Sequence, residues 1–166
     1  ALTKSKVLAE DKLFATLDSS VRMLSPDAHP PVVAVDTVGF VSRLPPELVA
    51  SFRSTLEELH EADLLVHVVD GSSPTAREEV EVTIQVLKEL DVESKPRITV
   101  LNKMDLLRSD TQGGASVLAQ SLARRNLARI VAPGSFAISA LNPEEVSRLR
   151  EVILEHFKSK LETFEC

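Results

Sequence analysis

RITVLNKMD, residues Arg97–Asp105, runs from a short apolar, β-branched stretch straight into a polar turn. Arg97–Asn102 is too short and too continuously apolar for an amphipathic surface helix. It reads instead as a buried parallel strand that delivers polar groups at its carboxyl end. The same pattern recurs on either side of it. VVAVD (Val32–Asp36) and LLVHVVD (Leu64–Asp70) each end in an aspartate, and FAIS (Phe136–Ser139) is a shorter fourth run.

Helical signals alternate with these runs. Pro46 can occupy the first turn of a helix with a stripe at Leu48, Phe52, Leu56 and Leu59. Ser73-Pro74 opens a second, with Val80, Ile84, Leu87 and Leu90 on one face. Gly113-Gly114 precedes a weaker one carrying Val117, Leu118 and Leu122. Asn142, Pro143 and Glu145 form a capping-box start to a last helix whose face is Val146, Leu149, Ile153 and Phe157. Strand alternating with helix predicts an α/β fold: a mostly parallel sheet with helices on both faces. Thr16–Leu24 is read as one antiparallel edge strand, joined to Val32 by the turn-rich Ser25–Pro31.

The chain has 166 residues, of which 43% are hydrophobic and 27% charged, which fits one globular domain. No apolar run approaches the roughly 18–20 residues of a membrane span. The net charge of -6 argues against bulk attraction to DNA or RNA. The single cysteine, Cys166, cannot form an internal disulfide, so a reducing compartment is expected: the cytoplasm, or an organellar matrix in a eukaryote. The first residue is Ala1, so the sequence reads as a processed or excerpted piece.

Three strand ends carry the chemistry, because ligands of parallel α/β sheets sit beyond the carboxyl ends of the strands. At the first, Asp36-Thr37-Val38-Gly39-Phe40, the aspartate can hold Mg²⁺ through water, and Gly39 lets a backbone N–H approach a γ-phosphate. Alone, such a DxxG match is equally a strand capped by a turn. At the second, Asn102-Lys103-Met104-Asp105, the Asp105 carboxylate can accept hydrogen bonds from N1 and N2 of guanine, an edge adenine lacks. Asn102 can tether neighbouring loops and reach the base, and the Lys103 stem can lie over the ring. The third is Ser139-Ala140, whose backbone N–H groups can meet guanine O6.

DxxG, then NKxD, then SA, each at a strand end, resembles the Ras-like P-loop GTPases. The segments DKLFATLD (Asp11–Asp18), DTVGFVSRL (Asp36–Leu44), SFRSTLEE (Ser51–Glu58) and ADLLVHVVD (Ala62–Asp70) resemble one family more closely, HflX. The resemblance implies a Ras-like sheet and roles for individual residues. Thr16 corresponds to the switch threonine that meets Mg²⁺ and the γ-phosphate, Asp36 to the aspartate holding Mg²⁺ through water, and Gly39 to the γ-phosphate sensor. Asn102, Lys103 and Asp105 correspond to the guanine readers, with Ser139 and Ala140 completing the base pocket. The family also implies GTP and GDP as ligands, hydrolysis of GTP to GDP and phosphate, and association with the large ribosomal subunit in splitting or rescuing ribosomes. Phe40 stands where Ras-like enzymes place a water-orienting glutamine, so no catalytic residue is assigned and slow intrinsic hydrolysis is expected.

Other polar residues have plainer readings. His67 alternates within a strand as a packed or hydrogen-bonded histidine. His29, His60 and His156 share no metal-ligand spacing with Cys166. Arg124, Arg125 and Arg129 form a solvated helix face or a contact to RNA phosphate.

GxxxxGK[ST], the loop that wraps nucleotide phosphates, occurs nowhere in the 166 residues. The expectation is therefore an incomplete G domain over residues 1–166, from the switch I region to the last helix, without the P-loop and the central first strand. Such a piece is expected to bind GTP weakly or not at all and to leave neighbouring strands without partners. The alternative is a truncated, non-catalytic remnant acting as an interaction module. Another GTPase family acting on ribosomes or tRNA is a third reading, against which stand Phe40 and SFRSTLEE.

Overall fold

In a computed structural model, residues 2, 20–25, 31–36, 58–107 and 117–164 are described, apart from the side chains of 20, 117–121 and 159–164. In chain order the elements are β1 (Ser20–Ser25), β2 (Val32–Asp36), β3 (Leu65–Asp70), α1 (Ala76–Glu89), β4 (Arg97–Asn102), α2 (Val117–Val131), β5 (Phe136–Ala137) and α3 (Pro143–Phe164). A 3₁₀ turn, Met104–Leu106, follows β4. The chain divides into two compact units, Glu58–Ala140 and the pairing of Ala1–Glu57 with Leu141–Cys166.

In the unit Glu58–Ala140, β3, β4 and β5 form a parallel sheet in that order. Leu65 pairs with Arg97 and Asp70 with Asn102, so both strands end level with each other. Side chains alternate across a strand, and Val69 and Leu101 on one face meet Ala76 and Val80 of α1, Ala128 of α2 and Ala132 just after it in one buried cluster. Both helices therefore lie on the same face of this sheet. Leu65, Leu87 and Val92 close a second cluster.

Helix α1 starts at Ala76, two residues after the expected proline, because the Ser73 and Thr75 hydroxyls both bond Glu79 Oε1 at 2.8 Å ahead of its first turn. It ends in a Schellman motif: Asp91 N–H donates to Lys88 O, and Val92 N–H to Leu87 O. Asp91 takes the left-handed position (φ 57°) that usually falls to glycine.

Helix α2 buries Ala128, with Ala132 buried just beyond its end, and Leu122 is 48% exposed. Leu127 and Val131 pack against the same buried cluster. The short fourth run ladders only over Phe136–Ala137. Beyond it Ile138 still donates to Leu101 O at 2.8 Å and accepts from Met104 N.

In the other unit, β1 and β2 pair antiparallel, from Ser20–Asp36 to Ser25–Val32, with a bulge between Met23 and Ser25. Asn142 caps α3 as its sequence predicts, its Oδ1 accepting from Glu144 N (3.0 Å) and Glu145 N (3.5 Å). Val146, Leu149 and Ile153 are buried on that helix. Arg150 reaches Leu24 O at 2.7 Å, tying α3 to β1.

The α/β class expected from the sequence is what the structure shows: a three-stranded parallel sheet, β3–β4–β5, and an antiparallel pair, β1–β2. Among the described residues, β2 and β3 each keep one edge without a ladder partner. The strand expected to join them is the central one that precedes the P-loop, whose motif the sequence lacks. The expected helix over Leu48, Phe52 and Leu56 lies outside the described residues, apart from a helical turn at 58–61. No helix among the described residues is long and apolar enough to cross a membrane.

Candidate functional site

Level strand ends in β3 and β4 bring three loops together at one edge of the parallel sheet. After β4, Asn102 turns the chain into Lys103, whose backbone is left-handed (φ 61°, ψ 28°). That turn sets Met104, 1% exposed, into the core and leaves Asp105 at the surface. Met104 is fixed from both sides, its N–H donating to Ile138 O at 3.2 Å and its C=O accepting from Arg124 at 3.3 Å. Arg124 thus braces this loop, while Arg125 and Arg129 are exposed, as a solvated helix face requires.

Two side-chain bonds join the β4 loop to the segment after β5. Ser139, 4% exposed, donates its hydroxyl to Asp105 Oδ1 at 2.5 Å. Ala140 N–H donates to Asn102 Oδ1 at 2.9 Å. Asp105 is thereby oriented while its carboxylate keeps acceptor capacity toward solvent. The structure brings together all five of the expected base-reading residues: Asn102, Lys103, Asp105, Ser139 and Ala140.

The loop after β3 joins the same cluster, which the sequence reading did not foresee. Ser72 donates its N–H (2.9 Å) and its hydroxyl (2.6 Å) to Asp70 Oδ1. Asp70 Oδ2 lies 3.0 Å from Lys103 Nζ. Gly71 N–H donates to Asn102 O at 2.8 Å. Partial burial works to raise the Asp70 pKa, but the hydrogen bonds from Ser72 and Lys103 and the lysine's charge outweigh it and hold the carboxyl below its ordinary value. The signal was available in the sequence as a strand-terminal aspartate, though nothing there paired it with Lys103.

His67, on the helix-facing side of β3, is half-buried and its Nδ1 has no hydrogen-bond partner. Burial, with a smaller contribution from the Arg97 charge, pushes its pKa down to about 4. It is a packed neutral imidazole, not a hydrogen-bonded one at that nitrogen.

Of the expected phosphate-side residues, Asp36 stands exposed at the end of β2. Thr16, Gly39 and Phe40 lie outside the described residues. No cluster of three or more His, Cys, Asp or Glu able to hold a metal exists among the described residues.

Residues 1–103 match the protein family described as 50S ribosome-binding GTPase. A protein of Gluconacetobacter diazotrophicus named GTPase HflX is 45% identical over 161 residues, which are 97% of this chain and 33% of that relative. The GTPase HflX of Escherichia coli is 42% identical over 106 residues, 64% of this chain and 25% of its own length. The chain thus spans a third or less of the length of these relatives. Among solved structures, a mutation variant of SsGBP superposes with a TM-score of 0.55 and 27% identity, over 75% of this chain and 43% of that one.

Proposed function

Because the chain belongs to the HflX family of GTPases, we propose that it is the base-reading part of a G domain, taking guanine nucleotides at the joined ends of β4 and β5. The observation that carries this reading is the pair of bonds fixing both loops, Ser139 to Asp105 and Ala140 to Asn102. An aspartate held by one oxygen and open at the surface suits the N1–H and N2–H donors of guanine. Adenine presents no such pair, and discrimination against a ligand that leaves a polar group unmatched is strong. Guanine O6 competes with Asn102 Oδ1 for the Ala140 N–H, and the Lys103 stem lies along the base plane.

On the phosphate side, Thr16, Asp36 and Gly39 are the proposed contacts. Mg²⁺ at nucleotides is held by one or two protein oxygens plus phosphate and water, so a strand-end carboxylate such as Asp36 fits that role, with Thr16 as second ligand. The ion would neutralise charge on the phosphates. Hydrolysis of GTP also needs a phosphate-wrapping loop, which must come from sequence beyond these 166 residues. The intrinsic reaction is slow, because Phe40 offers no group to orient water. Residues 1–166 are accordingly read as an incomplete G domain, whose full-length protein acts in the cytoplasm, or an organellar matrix, on the large ribosomal subunit. The remnant reading, an interaction module without nucleotide, is favoured by the absent GxxxxGK[ST] alone.

The test is a titration of the chain with GDP and with ADP, followed by ¹H–¹⁵N chemical shifts. Weak, guanine-selective shifts at Asn102, Asp105 and Ala140 are expected. The variant Asp105→Asn should lose GDP by about ten- to a hundredfold and gain xanthosine diphosphate, because its amide N–H can donate to the xanthine carbonyl. Equal shifts from ADP would refute the base-reading assignment and leave the interaction module. Submicromolar GTP affinity would refute the need for a further loop.

A further inference from the structure

We propose that Asp70 is a positioning residue for Lys103, fixing the lysine stem that covers the guanine ring; this rests on the base-reading function proposed above. The β3 terminus grips the β4 loop at two adjacent points. Gly71 N–H holds the Asn102 carbonyl, at the peptide leading directly into Lys103. Asp70 Oδ2 holds the far end of the same lysine's side chain at 3.0 Å. Backbone and ammonium are thus tied to one short segment, and the four methylenes between them have little freedom.

The carboxylate is itself pre-set. Both Ser72 bonds fall on Oδ1, which aims Oδ2 at the lysine. Close approach of the two loops depends on Gly71, since a Cβ there would sit 3.0 Å from Asn102 O and 2.6 Å from Met104 Sδ. A lysine on an exposed turn ordinarily samples many rotamers, and ordering such a chain on binding costs affinity. Asp70 removes most of that loss before nucleotide arrives. It touches the base nowhere and acts through Lys103.

The ion pair is partly open, with the Lys103 side chain 48% and the Asp70 side chain 33% exposed, so its effect is modest. Asp70→Asn is the informative variant, because its amide oxygen can still accept both Ser72 bonds while the charge is gone. It should weaken GDP binding by roughly threefold to fivefold. Asp70→Ala should do at least as much. In a Lys103→Ala background, Asp70→Asn should cost nothing further. Because inosine diphosphate lacks only the N2 amine, its affinity should fall in step with that of GDP.

Labelling of Lys103 by acetic anhydride, read by mass spectrometry, gives an arm that needs no nucleotide. Asp70→Asn should speed acetylation of Lys103 severalfold over the wild-type chain. A loss that persists in the Lys103→Ala background, or a changed ratio of GDP to inosine diphosphate affinity, would make Asp70 a brace for the whole loop and overturn the proposal. Unchanged acetylation would overturn it too. If the wild-type chain shows no GDP-dependent shifts at all, the base-reading function falls on its own, whatever the labelling shows.

Discussion

Replacing Gly71 with alanine tests the packing that brings the three loops together. The added Cβ would stand 2.6 Å from Met104 Sδ, 3.0 Å from Asn102 O and 3.1 Å from Leu101 Cβ. A thioether end can often swing aside, but Met104 is 1% exposed and Leu101 fully buried, so there is no free space to receive it. Moving the loop instead stretches the 2.8 Å bond from Gly71 N–H to Asn102 O. Overpacking of this kind costs about 1–3 kcal/mol, and a weakened buried hydrogen bond about 0.5–1.5 kcal/mol more. The expected loss is about 2–4 kcal/mol, large beside the roughly 5–15 kcal/mol of a typical domain. Urea denaturation followed by circular dichroism would measure it, with hydrogen exchange at 101–104 locating it. Met104→Ala removes the nearest clashing atom, so the double variant should lose less than the sum of the singles by about 1 kcal/mol. A Gly71→Ala chain within about 0.5 kcal/mol of wild type, or strict additivity with Met104→Ala, would refute the reasoning.

Other expectations follow from single contacts. The folded His67 pKa, about 4, lies below its ordinary 6.5, so the unfolded chain takes up the proton first as pH falls. The stability from this site is complete above about pH 6.5 and is lost between there and pH 4. Full retention of the shift would be worth about 3 kcal/mol, and partial exposure reduces this to about 1–2 kcal/mol. As pH falls through that window, the wild-type urea midpoint should therefore drop relative to that of His67→Gln, which has no titrating group there. Asn142→Ala removes the acceptor for Glu144 N and Glu145 N and should cost about 0.5–2 kcal/mol of thermal stability. Ser139→Ala should cost about 1 kcal/mol and weaken GDP binding measured by calorimetry, since Asp105 loses its fixed orientation.

Legibility in the sequence tracked how local the physics was. VVAVD and RITVLN ended where the runs ended, because continuous apolar stretches between polar turns leave little ambiguity. The Asn142 cap was equally legible, being decided within one helical turn. Helix α2 was legible only as a weak helical signal, and its packing through Leu127, Ala128 and Val131 was not read from the sequence. How the strands group was not legible, because strand pairing depends on which neighbours exist: β1–β2 and β3–β4–β5 ladder separately. At the site, NKMD and SA were readable as motifs and Asn102 as a tether between loops, whereas the bond from the Ser139 hydroxyl to Asp105 was not foreseen. Asp70 was visible only as the end of a strand, because a pairing between distant segments leaves no trace in either one alone.

Lys103 carries a further consequence in its backbone. A non-glycine residue held in the left-handed region is strained by about 1 kcal/mol, which glycine would largely relieve. Asp91 is held in the same way, and Asp91→Gly should simply make the chain more robust. Lys103→Gly should also melt no earlier than wild type, yet it would discard the ammonium that Asp70 holds and, on the proposed function, the stem over the base. Under that proposal, position 103 is a point where selection for thermal endurance and selection for ligand recognition pull in opposite directions. A screen that rewards only heat resistance would then drift toward a sturdier protein with a weaker grip on the proposed nucleotide.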